Sequence, residues 1–154
     1  IMKIILKIKF FFFLFINVSN ADLIKPNSNL KPFDVLMIQL NSLKNNNNPY
    51  KDAGIEQTWE FAHPSNRVFT GPLERFKSMM YSPSYSIMLE HETHEIIKVK
   101  LEANTAYFFI ELTDKQGNLF GFEWILKKVT NLGIYKDCWM TTSVSQPIPI
   151  AKST

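Results

Sequence analysis

TAYFFIELTDKQGNLFGFEWILKKV, residues 105–129, is the stretch that decides the fold. Apolar and polar residues alternate along both of its halves, which is the pattern of half-buried β-strands. The polar segment TDKQGN lies between the halves, and its Gly117 and Asn118 suit a tight turn. We therefore expect an antiparallel hairpin here.

Further strands are predicted on both sides of this hairpin. Apolar residues alternate with polar ones over residues 85–89 and again over residues 97–101, with HETHE between them. YKDCWMTTSV, residues 135–144, predicts a last strand. Pro147 and Pro149 follow it, and since proline cannot donate a ladder hydrogen bond, we expect the tail to be unfit for pairing.

Three amphipathic helices are predicted upstream of the strands. Apolar residues recur at helical spacing in FDVLMIQLNSL from residue 33, in residues 52–62, and from residue 73 to a stop at Pro83. Pro64 ends the second helix, because the residue before a proline is pushed out of the helical region. The predicted class is α+β, with three N-terminal helices packed on a curved antiparallel sheet of about four to five strands.

Four stretches carry a family resemblance: DVLMIQLNSL, DAGIEQTWEFAHPSNRVFTGPLERF, YSIMLEHETHEI and DCWMTTSV. Together they resemble an uncharacterised domain family, one of the domains of unknown function, found in bacteria and photosynthetic organisms. That family is thought to be similar to the nuclear transport factor 2-like cone fold. The resemblance covers residues 34–144 and implies a cone-like fold and a link to exported or plastid proteins. It brings no established activity, so it implies no catalytic residue.

Residues 1–21 predict a secretory signal peptide. Lysines mixed with aliphatic residues precede an apolar run from Phe10 to Ile16, and small or polar residues follow it up to Ala21. The alternative is an uncleaved N-terminal anchor, which would be the chain's only contact with a membrane. The expected organisation is a linker over 22–32, one domain over 33–146 and a tail over 147–154, exported to a secreted, periplasmic or plastid location.

Charge and cysteine content narrow the classes of partner. The chain has 17 Lys and Arg against 14 Asp and Glu, but Lys3, Lys7 and Lys9 belong to the N-terminal segment. Without them basic and acidic residues balance, so a nucleic-acid partner, which needs a basic face, is not expected. The single cysteine, Cys138, cannot form an internal disulfide and is expected in the core. We expect no cofactor.

The segment EHETHE, residues 90–95, has the most metal-like composition. A strand period of two would send His91 and His94 to opposite faces of the strand, and the four-residue spacing of the helical zinc motif is missing. We therefore expect an exposed hairpin rim and no metal site.

FAHPSNRVF, residues 61–69, is expected to form the corner between the second and third helices. His63 would donate to the last free carbonyls of the preceding helix. Asn66 suits a turn, and Arg67 would tie the corner to a carboxylate such as Glu56 or Glu60. Each residue thus has a structural explanation.

The functional alternative makes His63 a general base, oriented by a carboxylate such as Asp137. A second possibility concerns aromatic side chains, which would either fill the core or line an apolar pocket if the helices leave a gap. The pocket candidates are Trp59, Tyr107, Phe122, Trp124 and Trp139.

These observations favour a small exported module that binds or assembles without catalysis. Its partners would be a small apolar ligand or a second copy of the chain, joined through the outer face of the sheet. The alternative is a pocket enzyme of the isomerase or hydrolase kind with His63 or Asp137 as its base.

Overall fold

A computed structural model describes residues 22–151. Helices come first along the chain and strands follow, so the predicted α+β class is confirmed. The helices are α1 Pro32–Lys44, α2 Ala53–Glu60, α3 Pro64–Thr70 and α4 Leu73–Met80, followed by a single 3₁₀ turn, Ser86–Met88. The strands are β1 Thr93–Leu101, β2 Thr105–Thr113, β3 Leu119–Lys128, β4 Trp139–Val144 and β5 Ile148–Ile150.

The sheet is antiparallel and is built around the predicted hairpin. Its order is β1-β2-β3-β4, and β5 pairs with β3 beyond the end of β4. The hairpin register runs from Thr105 opposite Lys127 to Thr113 opposite Leu119. Gly117 takes a positive φ of 78° in the turn, a conformation that glycine adopts without steric cost.

Residues 22–151 form four helices where three were predicted. The segment taken as a corner forms α3, because Pro64 does not simply stop a helix. It occupies the first turn of α3, where a missing N–H costs nothing, while α2 has already ended at Glu60. No residue of α3 is buried. Its sequence therefore lacks the apolar stripe at helical spacing from which a helix is predicted.

Two strand predictions were wrong. Residues 85–89 contain the 3₁₀ turn, whose Met88 is buried, and Glu90 follows it with a left-handed φ of 57°. The tail also pairs: Ile148–Ile150 lies antiparallel to β3, with Pro149 opposite Phe120. Proline is tolerated there because β5 has one unpaired side, as edge strands do.

The core lies between the helices and the inner face of the sheet. Alternate residues are buried along β2 and in the middle of β3, including Phe108, Ile110, Phe122 and Trp124. These side chains pack against the apolar side of α1, and each fully buried one contributes roughly 1.5–3 kcal/mol. A smaller core under the β3–β4 loop contains Val129, Tyr135, Met140 and the buried Cys138, as expected for that cysteine.

None of the helices formed within residues 22–151 is long and apolar enough to cross a membrane.

Candidate functional site

An apolar cavity of about 210 Å³ lies between the helices and the inner face of the sheet. Its apolar wall comes from α1, α3, α4, the 3₁₀ turn, β3 and β4. It is lined by Gln39, Leu43, Thr58, Ala62, Asn66, Phe69, Thr70, Phe76, Met79, Met80, Tyr85, Met88, Trp124, Thr141, Thr142, Ser143 and Val144.

A chain of hydrogen bonds runs along the floor of this cavity. The indole Nε1–H of Trp124 donates to Thr141 Oγ1 at 3.0 Å, and the Thr141 hydroxyl donates to Gln39 Oε1 at 2.6 Å. Gln39 Nε2 donates in turn to the Thr58 carbonyl at 3.1 Å. Within the described residues, every buried side-chain N and O atom has a partner. The floor is therefore polar in composition, but its donors and acceptors already have hydrogen-bond partners.

Among residues 22–151, no charged residue, histidine or cysteine lines the cavity. Tyr85 is the only titratable residue that this part of the chain contributes to the lining, and its hydroxyl donates to the Val144 carbonyl at 3.3 Å. A cavity with this lining offers apolar contact and shape to a ligand. It offers no carboxylate or imidazole for proton transfer.

The five aromatic pocket candidates do not meet in this cavity. Trp124 lines it, whereas Phe122 is fully buried in the core. Tyr107 is on the outer face of the sheet, 36% exposed, and Lys100 Nζ lies 5.4 Å from its ring. Trp59 and Trp139 are half-buried and carry Arg67 and Lys128 against their rings.

His63 caps the start of α3 and does not line the cavity. Its Nδ1 accepts from the Ser65 N–H at 3.1 Å and lies 2.7 Å from Ser65 Oγ. This contact is at the N-terminus of the following helix, not at the carbonyls of the preceding one. Burial, and then the nearby Lys127 ammonium, lower the pKa of His63. The imidazole is therefore held neutral, as an Nδ1 acceptor must be.

Asp137 is exposed in the β3–β4 loop, with a left-handed φ of 64°. Its N–H donates to the Val129 carbonyl at 2.8 Å. Burial, and then the Asp137 carboxylate, raise the pKa of the Cys138 thiol. Among the hydrogen bonds and ion pairs of residues 22–151, none joins Asp137 to His63, so the structure does not bring this candidate pair together.

Arg67 stabilises the end of α2 through the backbone. Its guanidinium donates to the carbonyls of Ala62 at 3.0 Å, Trp59 at 3.1 Å and Glu60 at 3.0 Å. The expected tie to a carboxylate was wrong, since Glu56 pairs with Lys77 and the Glu60 carboxylate pairs with Lys25. The last carbonyls of a helix lack intrahelical partners and carry partial negative charge, so a guanidinium is favourable there.

His91 and His94 form a hydrogen-bonded pair, which corrects the expectation of opposite strand faces and an exposed rim. His91 is 2% exposed; its Nδ1–H donates to the Met88 carbonyl at 2.7 Å. His94 Nδ1 lies 2.7 Å from His91 Nε2, which accepts in this tautomer. The alternation of a strand does not apply to His91, because β1 begins only at Thr93.

Both imidazoles of this pair are held neutral. Burial, assisted by His94 and Lys44, lowers the pKa of His91 to about 4 against the opposing effects of the Met88 carbonyl and Glu90. Burial and then Lys44 lower the pKa of His94. No group of three or more His, Cys, Asp or Glu side chains that could hold a metal ion occurs in the part of the chain that the structure describes.

Three polar residues of the cavity floor were not among the candidates: Gln39, Thr58 and Thr141. Gln39 offered a signal, since it lies three residues after Leu36 and four before Leu43, on the apolar face of α1. A polar residue in an apolar stripe needs a buried partner. Its partner Thr141 is distant in sequence, so no local pattern could identify it.

Comparison of the chain with protein-family models, with curated proteins and with solved structures gave no significant match.

Proposed function

We propose that this chain is a small exported module that binds a neutral, apolar ligand in the cavity and does no chemistry on it. The observation that carries the proposal is the lining, which combines methionine, phenylalanine and leucine side chains with a floor whose polar groups already bond one another. A ligand with charge or many polar groups would lose its water there without compensation.

The cavity volume limits the ligand to a small one. A dry apolar cavity of about 150 Å³ holds benzene, and the volume here is about 210 Å³. It lies below the roughly 300–1,000 Å³ of sites for drug-sized ligands. A single substituted ring or a short alkyl chain is therefore the class that fits. Met79, Met80 and Met88 on the wall would adapt to its shape, because methionine is unbranched and flexible.

The resemblance to a family similar to the nuclear transport factor 2-like fold supports this proposal by analogy only. A cone-like sheet would place such a cavity between its concave face and the helices. Three further statements remain predictions: that the protein is exported, that it belongs to that family, and that it forms a homodimer through the outer face of the sheet. The pocket-enzyme alternative gains nothing from the cavity, because neither His63 nor Asp137 lines it.

Toluene titration provides the test. At about ten times its Kd, toluene should stabilise the protein by about 1.4 kcal/mol and raise the melting temperature by roughly 4 °C. Met79→Trp, which places a bulky side chain in the wall, should abolish most of this rise. Met37→Trp is the matched control, since Met37 is also a half-buried methionine on a helix but does not line the cavity.

Urea unfolding without toluene would first establish that both variants fold. Equal toluene shifts in the wild type and both variants would show that the ligand does not enter this cavity, and the proposal would then fail. No shift in any of them would exclude a ligand of this class.

A further inference from the structure

The β3–β4 loop projects two aliphatic side chains into solvent. Leu132 is 88% exposed and Ile134 is 87% exposed, more than any other large apolar residue in the described range. Between them a side chain added at Gly133 would meet nothing within 4 Å. The two side chains thus form an apolar tip, which we define as Leu132 and Ile134.

The loop beneath this tip is ordered by its own contacts. Val129 N–H donates to the Cys138 carbonyl at 2.9 Å and Asp137 N–H donates to the Val129 carbonyl at 2.8 Å, closing the base of the loop. Val129, Cys138 and Met140 form the small core there, with Tyr135 packed against it. An apolar core thus exists within the loop, yet the tip residues do not join it.

Lysines flank the tip along the sequence. Lys127 and Lys128 precede the loop and Lys136 follows the tip, while Asp137 is the only carboxylate in the same stretch. The ion pairs formed by residues 22–151 use Lys25, Lys77 and Lys100. Lys127 and Lys136 are therefore available to an external anion, whereas Lys128 Nζ lies 5.3 Å from the Trp139 ring.

We propose that this loop docks the protein on an anionic lipid bilayer, with the apolar tip inserted at the level of the acyl chains and Lys127 and Lys136 on lipid phosphates. Exposed aliphatic residues bordered by lysine are the composition of interfacial membrane anchors. Long lysine stems allow the ammonium groups to remain among the headgroups while the tip inserts.

A bilayer fits this surface better than a protein partner does. Specific protein interfaces bury about 1,200–2,000 Å² and need a complementary surface, whereas the tip consists of two protruding side chains. Fluid hydrocarbon accepts a protruding apolar group without a preformed pocket. The proposal does not depend on the cavity or on its ligand.

A local fluorescent label tests the insertion in the full chain. Leu132→Cys would be labelled with the polarity-sensitive dye nitrobenzoxadiazole. Cys138, the single native thiol, is 2% exposed, and burial raises its pKa, so labelling is directed to position 132. The matched control is Ile97→Cys, labelled at an exposed apolar position in the middle of β1.

Vesicles of equal parts phosphatidylcholine and phosphatidylserine should shift the emission of the label at 132 to the blue and leave that at 97 unchanged. Replacing Lys127 and Lys136 by Gln in the labelled protein should weaken the response roughly tenfold or more, since each lysine contributes to anionic-lipid binding. Raised salt should weaken it too.

Three results would overturn the proposal: no blue shift at position 132, equal shifts at positions 132 and 97, or equal shifts with phosphatidylcholine alone. A blue shift that appears with rising protein concentration in the absence of vesicles would assign the tip to contact with a second copy instead. Substitution at so exposed a position should leave the urea midpoint unchanged, which separates loss of insertion from loss of folding.

Discussion

Two groups of polar side chains, one on the cavity floor and one bonded to the Met88 carbonyl, satisfy their hydrogen bonds in different ways. On the cavity floor, the Thr141 hydroxyl donates to Gln39 and accepts from the Trp124 indole. In the second group, the Met88 carbonyl accepts from His91, which is paired with His94. The amide and hydroxyl of the first group are neutral at every pH, whereas the imidazoles of the second are neutral only above their pKa.

The difference teaches that hydrogen-bond satisfaction alone does not fix the stability of a buried polar group. Both groups are satisfied at neutral pH, and in both the loss of a partner would leave a buried atom unpaired. Only the histidine pair can be disrupted without a mutation, since acid supplies the proton. We therefore expect the cavity floor to be insensitive to pH and the histidine pair to weaken in acid.

Gln39→Ala should give the largest loss of stability. It removes the acceptor of the Thr141 hydroxyl and the donor to the Thr58 carbonyl, and it leaves a void. We expect a decrease of about 3 kcal/mol in the free energy of unfolding, equal at pH 7 and pH 5, measured by urea titration. Gln146→Ala is the control: this glutamine is exposed and should change the free energy by less than about 0.5 kcal/mol. A loss that differs between the two pH values would break the contrast with the histidine pair.

The second-largest effect should be the dependence of the wild-type protein's stability on pH. The folded-state pKa of His91 is about 4, below the roughly 6.5 of an unfolded chain. The unfolded state therefore binds the proton first, and the stability that is complete above pH 6.5 is lost as the pH falls toward 4. Titration of His91 should therefore lower the free energy of unfolding by about 2 kcal/mol between pH 7 and pH 5.

His91→Asn isolates this contribution. An asparagine amide can still donate to the Met88 carbonyl, but it does not titrate. Urea titrations at pH 7 and pH 5 should show that the variant loses about 2 kcal/mol less than the wild type over this interval. Identical losses would mean that His91 is not the group that takes up the proton.

His63→Ala should have the smallest effect. It removes the acceptor for the Ser65 N–H at the start of α3, and loss of an N-cap costs about 0.5–2 kcal/mol. Because α3 buries no residue, we expect the lower end of that range in urea titration. His63→Ser supplies an alternative capping oxygen and should restore most of the loss. If serine failed to restore it, the imidazole would have a role beyond capping.

The parts of the fold that were predicted depend on local patterns. The β2–β3 hairpin was predictable because its alternation and its turn lie within one short stretch, and α1 because its apolar stripe is long. Helix α3 was missed because it has no apolar stripe, only a capping residue and Pro64. Strand β5 was missed because proline disfavours pairing unless an edge is available, and the edge belongs to β3, far away in sequence.

The candidate site was predictable only in part. Trp124 was among the pocket candidates and lines the cavity, because it lies on the inward face of a strand that the alternation predicts. Its hydrogen-bond partner Thr141 bonds in turn to Gln39, 102 residues away, and this contact exists only after helix and sheet have packed. His91 was misplaced because the strand period was applied two residues before the strand begins.

The pairing of β3 has a consequence for the chain during its synthesis. β2 covers one side of β3 along its whole length, but the other side is divided between β4 and β5. Until β5 has left the ribosome, the backbone of Leu119–Gly121 has no neighbour on that side and could pair with an extended segment of another nascent chain. Three residues that add little to the core thus decide when this end of β3 is covered.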